Sequence, residues 1–221
     1  MCGRYALHSL PEVLALQFGL PELPTFEARY NIAPTSSVLV IEADRDGHPV
    51  ATTMRWGLIP SWAKDASIGN KLANARAETV AEKPAFRRAF RRRRCLIPAS
   101  GFYEWKPVVG RKQPYYIRPA DDGLFALAGL YEAWSSPEGL LHTCTVLTTD
   151  ANALMQAIHN RMPVIVAPAD YRRWLNPGNT TAAGLSELLV PFPPEHMLVY
   201  PVSSRVNNAR NEDPGLIERV G

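Results

Sequence analysis

Residues 95–105 read CLIPASGFYEW, and this stretch decides the fold class of the chain. It is predominantly apolar and ends on a carboxylate, Glu104, between two aromatic residues, Tyr103 and Trp105. We interpret residues 95–104 as a strand, because apolar and aromatic residues favour strands. Strand signals dominate from here onward. Further strands are predicted at residues 115–118, 124–134, 141–148 and 197–202, with a short apolar run at 164–166.

Upstream of this stretch the pattern is mixed. Two strands, at residues 38–42 and 52–58, flank a turn at 44–47. Ser9 and Glu12 have capping-box spacing, and Gly19 is a helix stop, so a helix is predicted over residues 10–18. Further helices are predicted at 85–92, at 151–158 after Asp150 as N-cap, and at 171–175 and 185–189. Strands with short helices and no regular βαβ alternation indicate an α+β fold around a mainly antiparallel sheet.

Length and composition favour a single compact domain spanning residues 1–221, with the polar tail at 203–221 as a candidate for local mobility. Hydrophobic residues make up 46% of the chain and charged residues 20%, which is typical of a soluble globular protein. Cys2, Cys95 and Cys144 are widely spaced and form no CxxC pair, so neither a disulfide framework nor a metal knuckle is predicted. There is no signal-peptide pattern and no apolar run of about 20 residues, so we expect a cytoplasmic protein that does not enter a membrane.

The positive charge of the chain is concentrated in one segment. The formal net charge is only +3, yet residues 87–94 contain six arginines. Such a cluster is consistent with a surface that binds anions or nucleic acid. It is equally consistent with a solvated helix end, where cations interact favourably with the helix dipole.

Cys2 is the most informative single residue, because it directly follows the initiator methionine. If Met1 is removed, the chain begins with a 1,2-aminothiol. The amine can condense with an aldehyde, and the thiol can then close a thiazolidine ring. An α-amine has a pKa of about 7.7–8.0, so a useful fraction is neutral and nucleophilic at cellular pH. An arbitrary residue near a frayed terminus is the alternative reading of Cys2.

Three further positions have side chains suited to chemistry. Glu104 ends an apolar strand between aromatic residues, where desolvation raises a carboxyl pKa. His159 follows a predicted helix and precedes a short strand, a place where a general acid or base can face a cleft. Asn74 and Arg76 share one face of an extended segment and suit a sugar or a phosphodiester. Each of these residues could equally be structural. Trp56, Trp62 and Trp105 could stack unpaired bases or belong to the core.

Taken together, these residues resemble the SOS response-associated peptidase (SRAP) family, also called abasic-site processing proteins. The motifs that carry the resemblance are MCGRY (1–5), RYNIAPT (29–35), RWGLIPSWAKD (55–65), NARAET (74–79), CLIPASGFYEW (95–105) and HNRMPVIV (159–166). They occur in family order over nearly the whole chain, and the likeness weakens after about residue 167.

The resemblance implies a mixed, partly barrel-like β structure flanked by short helices. It also implies a protein that recognises abasic sites in single-stranded DNA and bonds to them covalently through Cys2, within the DNA damage response. Asn74, Glu104 and His159 match active-site positions, and Arg76 and Arg161 match positions that contact DNA phosphates. The other matching positions that are candidates for DNA contact are Arg4, Asn31, Pro34, Trp56, Trp62 and Trp105.

No metal or cofactor is expected, and we expect a monomer that associates with the nucleoid when bound to DNA. Two other functions stay open. One is an N-terminal-nucleophile amidohydrolase, in which the Cys2 thiolate attacks an amide. The family's peptidase name reflects such an activity, at least toward Met1 itself. The other is a non-covalent single-stranded DNA-binding module in which Cys2 is incidental.

Overall fold

The computed structural model describes residues 2–121, 123–136 and 138–221. Within these ranges the chain forms twelve strands and five short α-helices. The strands are β1 (Tyr5–Leu7), β2 (Arg29–Ile32), β3 (Ser37–Ala43), β4 (Pro49–Trp56), β5 (Asn74–Arg76), β6 (Arg94–Ala99), β7 (Gly101–Val108), β8 (Arg111–Pro119), β9 (Phe125–Ser136), β10 (Gly139–Asp150), β11 (Arg161–Pro163) and β12 (Met197–Pro201). The helices are α1 (Pro11–Phe18), α2 (Arg87–Arg92), α3 (Ala153–Gln156), α4 (Tyr171–Leu175) and α5 (Ala182–Ser186). None of these described helices is both long and apolar enough to span a membrane.

The strands form two sheets. One is antiparallel, in the order β12-β8-β7-β1-β2. In the other, β10, β4, β3, β6 and β9 pair in succession and β9 pairs back onto β10, so that this path closes on itself. The strands β5 and β11 extend it along β10. The prediction of an α+β fold with a mainly antiparallel, partly barrel-like sheet is therefore confirmed.

The stretch at 95–105 passes from one sheet to the other, where a single strand was predicted. It breaks at Ser100: β6 belongs to the closed sheet and β7 to the five-stranded sheet. The Ser100 backbone N–H donates to the Ala6 carbonyl at 2.8 Å, and its hydroxyl accepts from the His8 N–H at 3.0 Å. Gly101 is required at the crossing, because a Cβ there would lie 2.4 Å from the Tyr116 ring. The crossing places Glu104 on the sheet that also holds the N-terminal strand.

The helix α1 ends as predicted, at Gly19 with a φ of 63°. The predicted capping box was wrong, because the N-cap residue is Leu10, whose side chain makes no capping hydrogen bond. Proline at the first helical position takes over that role, since it has no N–H to satisfy. The helix predicted over 151–158 is also shorter than expected. Asn152, not Asp150, caps α3, accepting the Met155 N–H at 2.9 Å, because Asp150 still belongs to β10.

The polar tail is packed, which corrects the expectation of local mobility at 203–221. Val206 and Leu216 are fully buried, and Val202 forms a bridge with Arg219. The Asn31 amide donates to the carbonyls of Asn208 and Asn211 at 3.0 and 2.9 Å. Asparagine and aspartate side chains in the tail accept nearby backbone N–H groups, which is why a polar sequence can be ordered there.

Replacement of Asn31 by alanine should therefore destabilise the fold. Its amide group is almost completely buried and its loss would leave several carbonyls unsatisfied, so we expect a loss of about 2–4 kcal/mol. Urea unfolding measures this change. The matched control is Asn208→Ala, whose exposed side chain accepts the Arg210 N–H and should matter by less than about 1 kcal/mol. Equal effects of the two substitutions would contradict the proposed anchoring role.

Candidate functional site at the N-terminal cysteine

Cys2 lies just before β1 and is fully buried. The N-terminal strand runs antiparallel to β7, with Tyr5 opposite Phe102 and the Tyr103 N–H donating to the Arg4 carbonyl at 2.9 Å. This pairing brings the beginning of the chain alongside Glu104. The predicted removal of Met1 concerns a residue outside the described ranges.

Burial raises the pKa of Cys2 from 9.0 to about 12, and the neighbouring charge of Glu104 acts in the same direction. The Cys2 thiol is therefore held as a neutral S–H beside a buried carboxylate. It needs a proton acceptor before it can act as a nucleophile, and Glu104 is the group whose charge reaches it.

Glu104 is only 2% exposed, yet it lines an open cavity of about 430 Å³. The other lining residues are Trp105, Lys112, His159 and Asn207. Glu104 and His159 were predicted from far-separated motifs, and the fold brings them to the same cavity. Trp105 lies half-buried at its edge, with its indole N–H donating to Asn207 Oδ1 at 2.7 Å.

Lys112 and Asn207 were not predicted. Lys112 reaches the cavity because the β7–β8 hairpin pairs Pro107 with Lys112, and hairpin register is not visible in the residue types. Asn207 lies in the tail that was expected to be mobile. No sequence signal would have singled out either residue.

The half-buried His159 ring is oriented by the backbone of Arg161. Its Nδ1 lies 3.0 Å from the Arg161 N–H, which can donate to it, and 3.3 Å from the Arg161 carbonyl oxygen. The shorter contact favours the neutral tautomer with its proton on Nε2. In the protonated ring Nε2 also carries a proton, as a general acid requires.

Three further predicted site residues lie on the short strands β5 and β11, both of which pair with β10. Asn74 on β5 lies opposite Val146, Arg76 lies opposite Thr148, and Arg161 on β11 lies opposite Asp150. The Asn74 Oδ1 is buried and has no hydrogen-bond partner among the described residues. A buried acceptor without a partner is costly, so it marks a place where a bound donor would be stabilised.

The predicted DNA-contacting residues differ in how accessible they are to a DNA strand. Trp62 is 60% exposed and Arg76 is exposed, so both can meet a strand. Pro34 and Trp105 are half-buried. Arg161 is held by carboxylates, with Nη1 at 2.6 Å from Glu78 and 2.8 Å from Asp150, so a phosphate would have to compete with them.

Three residues expected to contact DNA have other roles. Trp56 is fully buried and donates its indole N–H to the Ala73 carbonyl at 2.8 Å, so it cannot stack on a base. Asn31 is 1% exposed and anchors the tail. The Arg4 guanidinium donates to Asn31 Oδ1 at 2.7 Å and to the Val206 carbonyl at 2.9 Å. These side chains position the N-terminal strand.

Within the described ranges, one group of three potential metal ligands lies close together. It consists of Asp44, Asp46 and His48, at the exposed turn between β3 and β4. Asp44 Oδ1 accepts the backbone N–H groups of Asp46 and His48 at 2.9 and 2.8 Å, which explains the clustering as turn geometry.

The three buried thiols predict alkaline instability. Burial raises the pKa of Cys2, Cys95 and Cys144 above 9.0, the ordinary value for a thiol. Between pH 9 and about 12 the unfolded chain releases protons that the folded chain retains. Unfolding therefore becomes easier as pH rises through this range, while stability is unaffected by these groups below it. Urea midpoints at pH 7, 9 and 10.5 should fall steadily after pH 9, and a flat profile would contradict the assignment.

Comparison with known proteins agrees with the fold and with the family resemblance. Residues 1–209 match the family model for the SOS response associated peptidase (SRAP). The chain is 47% identical to the abasic site processing protein YoqW of Bacillus subtilis, over 99% of each chain. It is 34% identical to the abasic site processing protein HMCES of Xenopus tropicalis, over 86% of this chain and 65% of that one. A crystal structure of a protein from Bacteroides thetaiotaomicron superposes with a TM-score of 0.89 at 28% identity, covering 99% of this chain and 100% of that one. The chain belongs to the SRAP family.

Proposed function

We propose that this protein processes abasic sites in DNA by forming a covalent thiazolidine with the lesion through Cys2. The observation that carries the proposal is the buried Cys2 thiol, whose pKa is raised by the charge of Glu104, a residue that shares a cavity with His159. The names of the relatives agree with abasic-site processing. Family membership supports the same class of substrate.

The first step is attack of the neutral Cys2 α-amine on the aldehyde carbon of the ring-opened abasic sugar, after loss of Met1. The protonated His159 ring gives its Nε2 proton to the sugar ring oxygen and so promotes ring opening, which leaves a neutral imidazole. The resulting carbinolamine loses water and becomes a Schiff base. Asn74 Oδ1 accepts a hydrogen bond from the amine or from a sugar hydroxyl, which satisfies its buried acceptor.

The second step is addition of the Cys2 thiol to the C=N bond. A C–S bond forms, the π electrons move to nitrogen, and the thiol proton reaches that nitrogen through Glu104. The protein and DNA together lose one water. Ring closure removes the imine that β-elimination needs as its electron sink, so the strand stays intact. Because amine and thiol belong to one residue, much of the rate should come from their proximity.

The order of attack distinguishes this mechanism from amide hydrolysis, in which the Cys2 thiolate attacks first. Burial raises the pKa of the Cys2 thiol, which favours a reaction in which the thiol acts second. Thiazolidine formation is such a reaction, because the amine attacks first and Glu104 then takes the thiol proton. Removal of Met1 is a separate reaction. If the protein removes Met1 itself, the reaction requires Cys2. If a host aminopeptidase removes it, Cys2 is not required.

Intact mass spectrometry tests the proposal. The purified protein is incubated with single-stranded DNA containing one abasic site, or a tetrahydrofuran analogue that has no aldehyde. The expected result is a protein without Met1 and an adduct equal to protein plus DNA minus one water, with the aldehyde substrate only. A processed protein that forms no adduct would favour hydrolysis or non-covalent binding. A parallel duplex substrate measures the proposed preference for single strands.

A further inference from the structure

The arginine-rich segment forms one exposed face of α2. Arg87, Arg88, Arg91 and Arg92 are exposed, and the residues between them, Ala89 and Phe90, are buried. With about 3.6 residues per turn, positions separated by one, four and five lie on the same side of a helix. The four arginines line a shallow depression of about 310 Å³ by themselves. We call these four side chains the arginine face.

The other two arginines of the run are structural. Arg93 pairs with the buried Glu132 at 2.6 Å. The Arg94 guanidinium is buried and donates to the carbonyls of Phe90, Arg91 and Trp174 at 2.7–2.8 Å. By contrast, no ion pair to any member of the arginine face occurs among the residues that the structure describes.

The arginine face is unfavourable for the helix that carries it. Like charges at i and i+4 repel, and both such pairs, Arg87–Arg91 and Arg88–Arg92, are present. The first turn of α2 contains two cations and no acidic residue, which is the wrong sign for a helix N-terminus. A bound polyanion would remove both penalties, whereas a merely solvated face would retain them.

The strand register relates the arginine face to Asn74. Arg94 lies opposite Leu130 on β9, which lies opposite Thr145 on β10. The next residue of β10, Val146, lies opposite Asn74. Three strand spacings of about 4.8 Å separate Arg94 from Asn74, or about 14 Å across the sheet. At a rise of about 3.4 Å per nucleotide, about four nucleotides of DNA cover this distance, and the arginine face directly precedes Arg94 in the chain.

We propose that the arginine face binds the phosphodiester backbone of the DNA that flanks the abasic site, without reading its sequence. The proposal rests on the proposed function for its substrate, but it concerns a separate surface. Guanidinium groups pair with phosphates in a bidentate manner, and the face itself contains no aromatic side chain that would stack a base. The face would therefore add affinity and salt dependence while leaving the chemistry at Cys2 unchanged.

The test compares binding of intact single-stranded DNA of 6 and 25 nucleotides, by fluorescence anisotropy over a range of salt concentrations. The variant is Arg88→Gln with Arg92→Gln. Two lost phosphate contacts should lower the slope of log K against log salt by about 1.4 on the longer DNA, equal to about 25-fold weaker binding at 0.1 M salt. The 6-mer should be affected less than twofold. Single variants Arg91→Gln and Arg219→Gln supply a matched comparison, because Arg219 is exposed and lies beside Val202, next to the five-stranded sheet and not next to α2.

Each outcome decides the proposal. A loss confined to the longer DNA, absent in Arg219→Gln, supports it. An unchanged slope, or equal loss on both lengths, overturns it in favour of a solvated helix face or of general electrostatic attraction. The variants remove exposed like charges, so circular dichroism and thermal unfolding should show a folded protein. Because intact DNA has no aldehyde, these measurements stand even if Cys2 forms no crosslink.

Discussion

Replacement of Cys2 by alanine is expected to abolish the denaturation-resistant adduct with abasic DNA, a loss of at least about 100-fold in yield. Alanine retains the α-amine but has no thiol, so a Schiff base can form and hydrolyse while the ring cannot close. Denaturing gel electrophoresis after incubation with abasic single-stranded DNA measures the loss. Intact mass must show that the variant has lost Met1, since a retained methionine would block the amine.

Cys2→Ser provides the matched control, because its hydroxyl is nearly isosteric with the thiol but far less nucleophilic. Both variants should form an imine that borohydride converts into a stable adduct, and neither should give a stable adduct without the reductant. A crosslink that survives denaturation in Cys2→Ala without borohydride would show that another residue bonds to the lesion. Lys112, whose amine lines the same cavity, would then be the first to replace.

Glu104→Gln is expected to slow crosslink formation by about 10²–10³, because proton transfer by a positioned group contributes about 10²–10⁴ to a rate. Glutamine keeps the shape and removes the base. The variant should also lower the pKa of the Cys2 thiol, since the Glu104 charge helps to raise it. Single-turnover crosslinking measures the first effect, and iodoacetamide labelling of the folded protein at pH 9–10 measures the second, as faster alkylation.

Glu132→Gln serves as the control for this substitution. Glu132 is also a buried carboxylate, at 3% exposure, but it pairs with Arg93 on the side of the sheet near α2. Its replacement should reduce stability while leaving the crosslinking rate of the folded protein within about twofold. If the two variants slow crosslinking equally, Glu104 acts on stability alone and the assignment of a proton acceptor is wrong.

The parts of the fold that follow from local patterns were predictable from sequence. The helix stop at Gly19, the strands β3 and β4 and the helix α4 all lie within about three residues of their predicted places. The sheet crossing at Ser100 was not, because apolar residues continue through it and only the close approach of Tyr116 requires the break. Strand pairing over long separations is a tertiary property that residue types do not encode locally.

The candidate site also contains residues that were predictable from sequence and residues that were not. Cys2, Glu104 and His159 could be proposed because their residue types are reactive and their motifs resemble those of a family. Whether a tryptophan or an arginine faces DNA depends on what covers it. Trp56 and Trp62 are six residues apart in one motif, yet one is fully buried and the other 60% exposed. The arginine run likewise contains two structural residues, Arg93 and Arg94, and the exposed arginine face. Only the packing of α2 shows which arginines belong to which set.

The anchoring of the N-terminal strand by the tail has a consequence for biosynthesis. The Arg4 guanidinium bonds to a carbonyl 202 positions later in the chain, and Asn31 and Tyr30 are held by groups of residues 206–212. Translation adds about 5–20 residues per second, so the first residues made wait about 10–40 s for their partners to leave the ribosome. Contacts this distant in sequence also form slowly once the chain is free. Cys2 is therefore accessible to processing enzymes before the fold encloses it and, once Met1 has been removed as proposed, to cellular aldehydes as well.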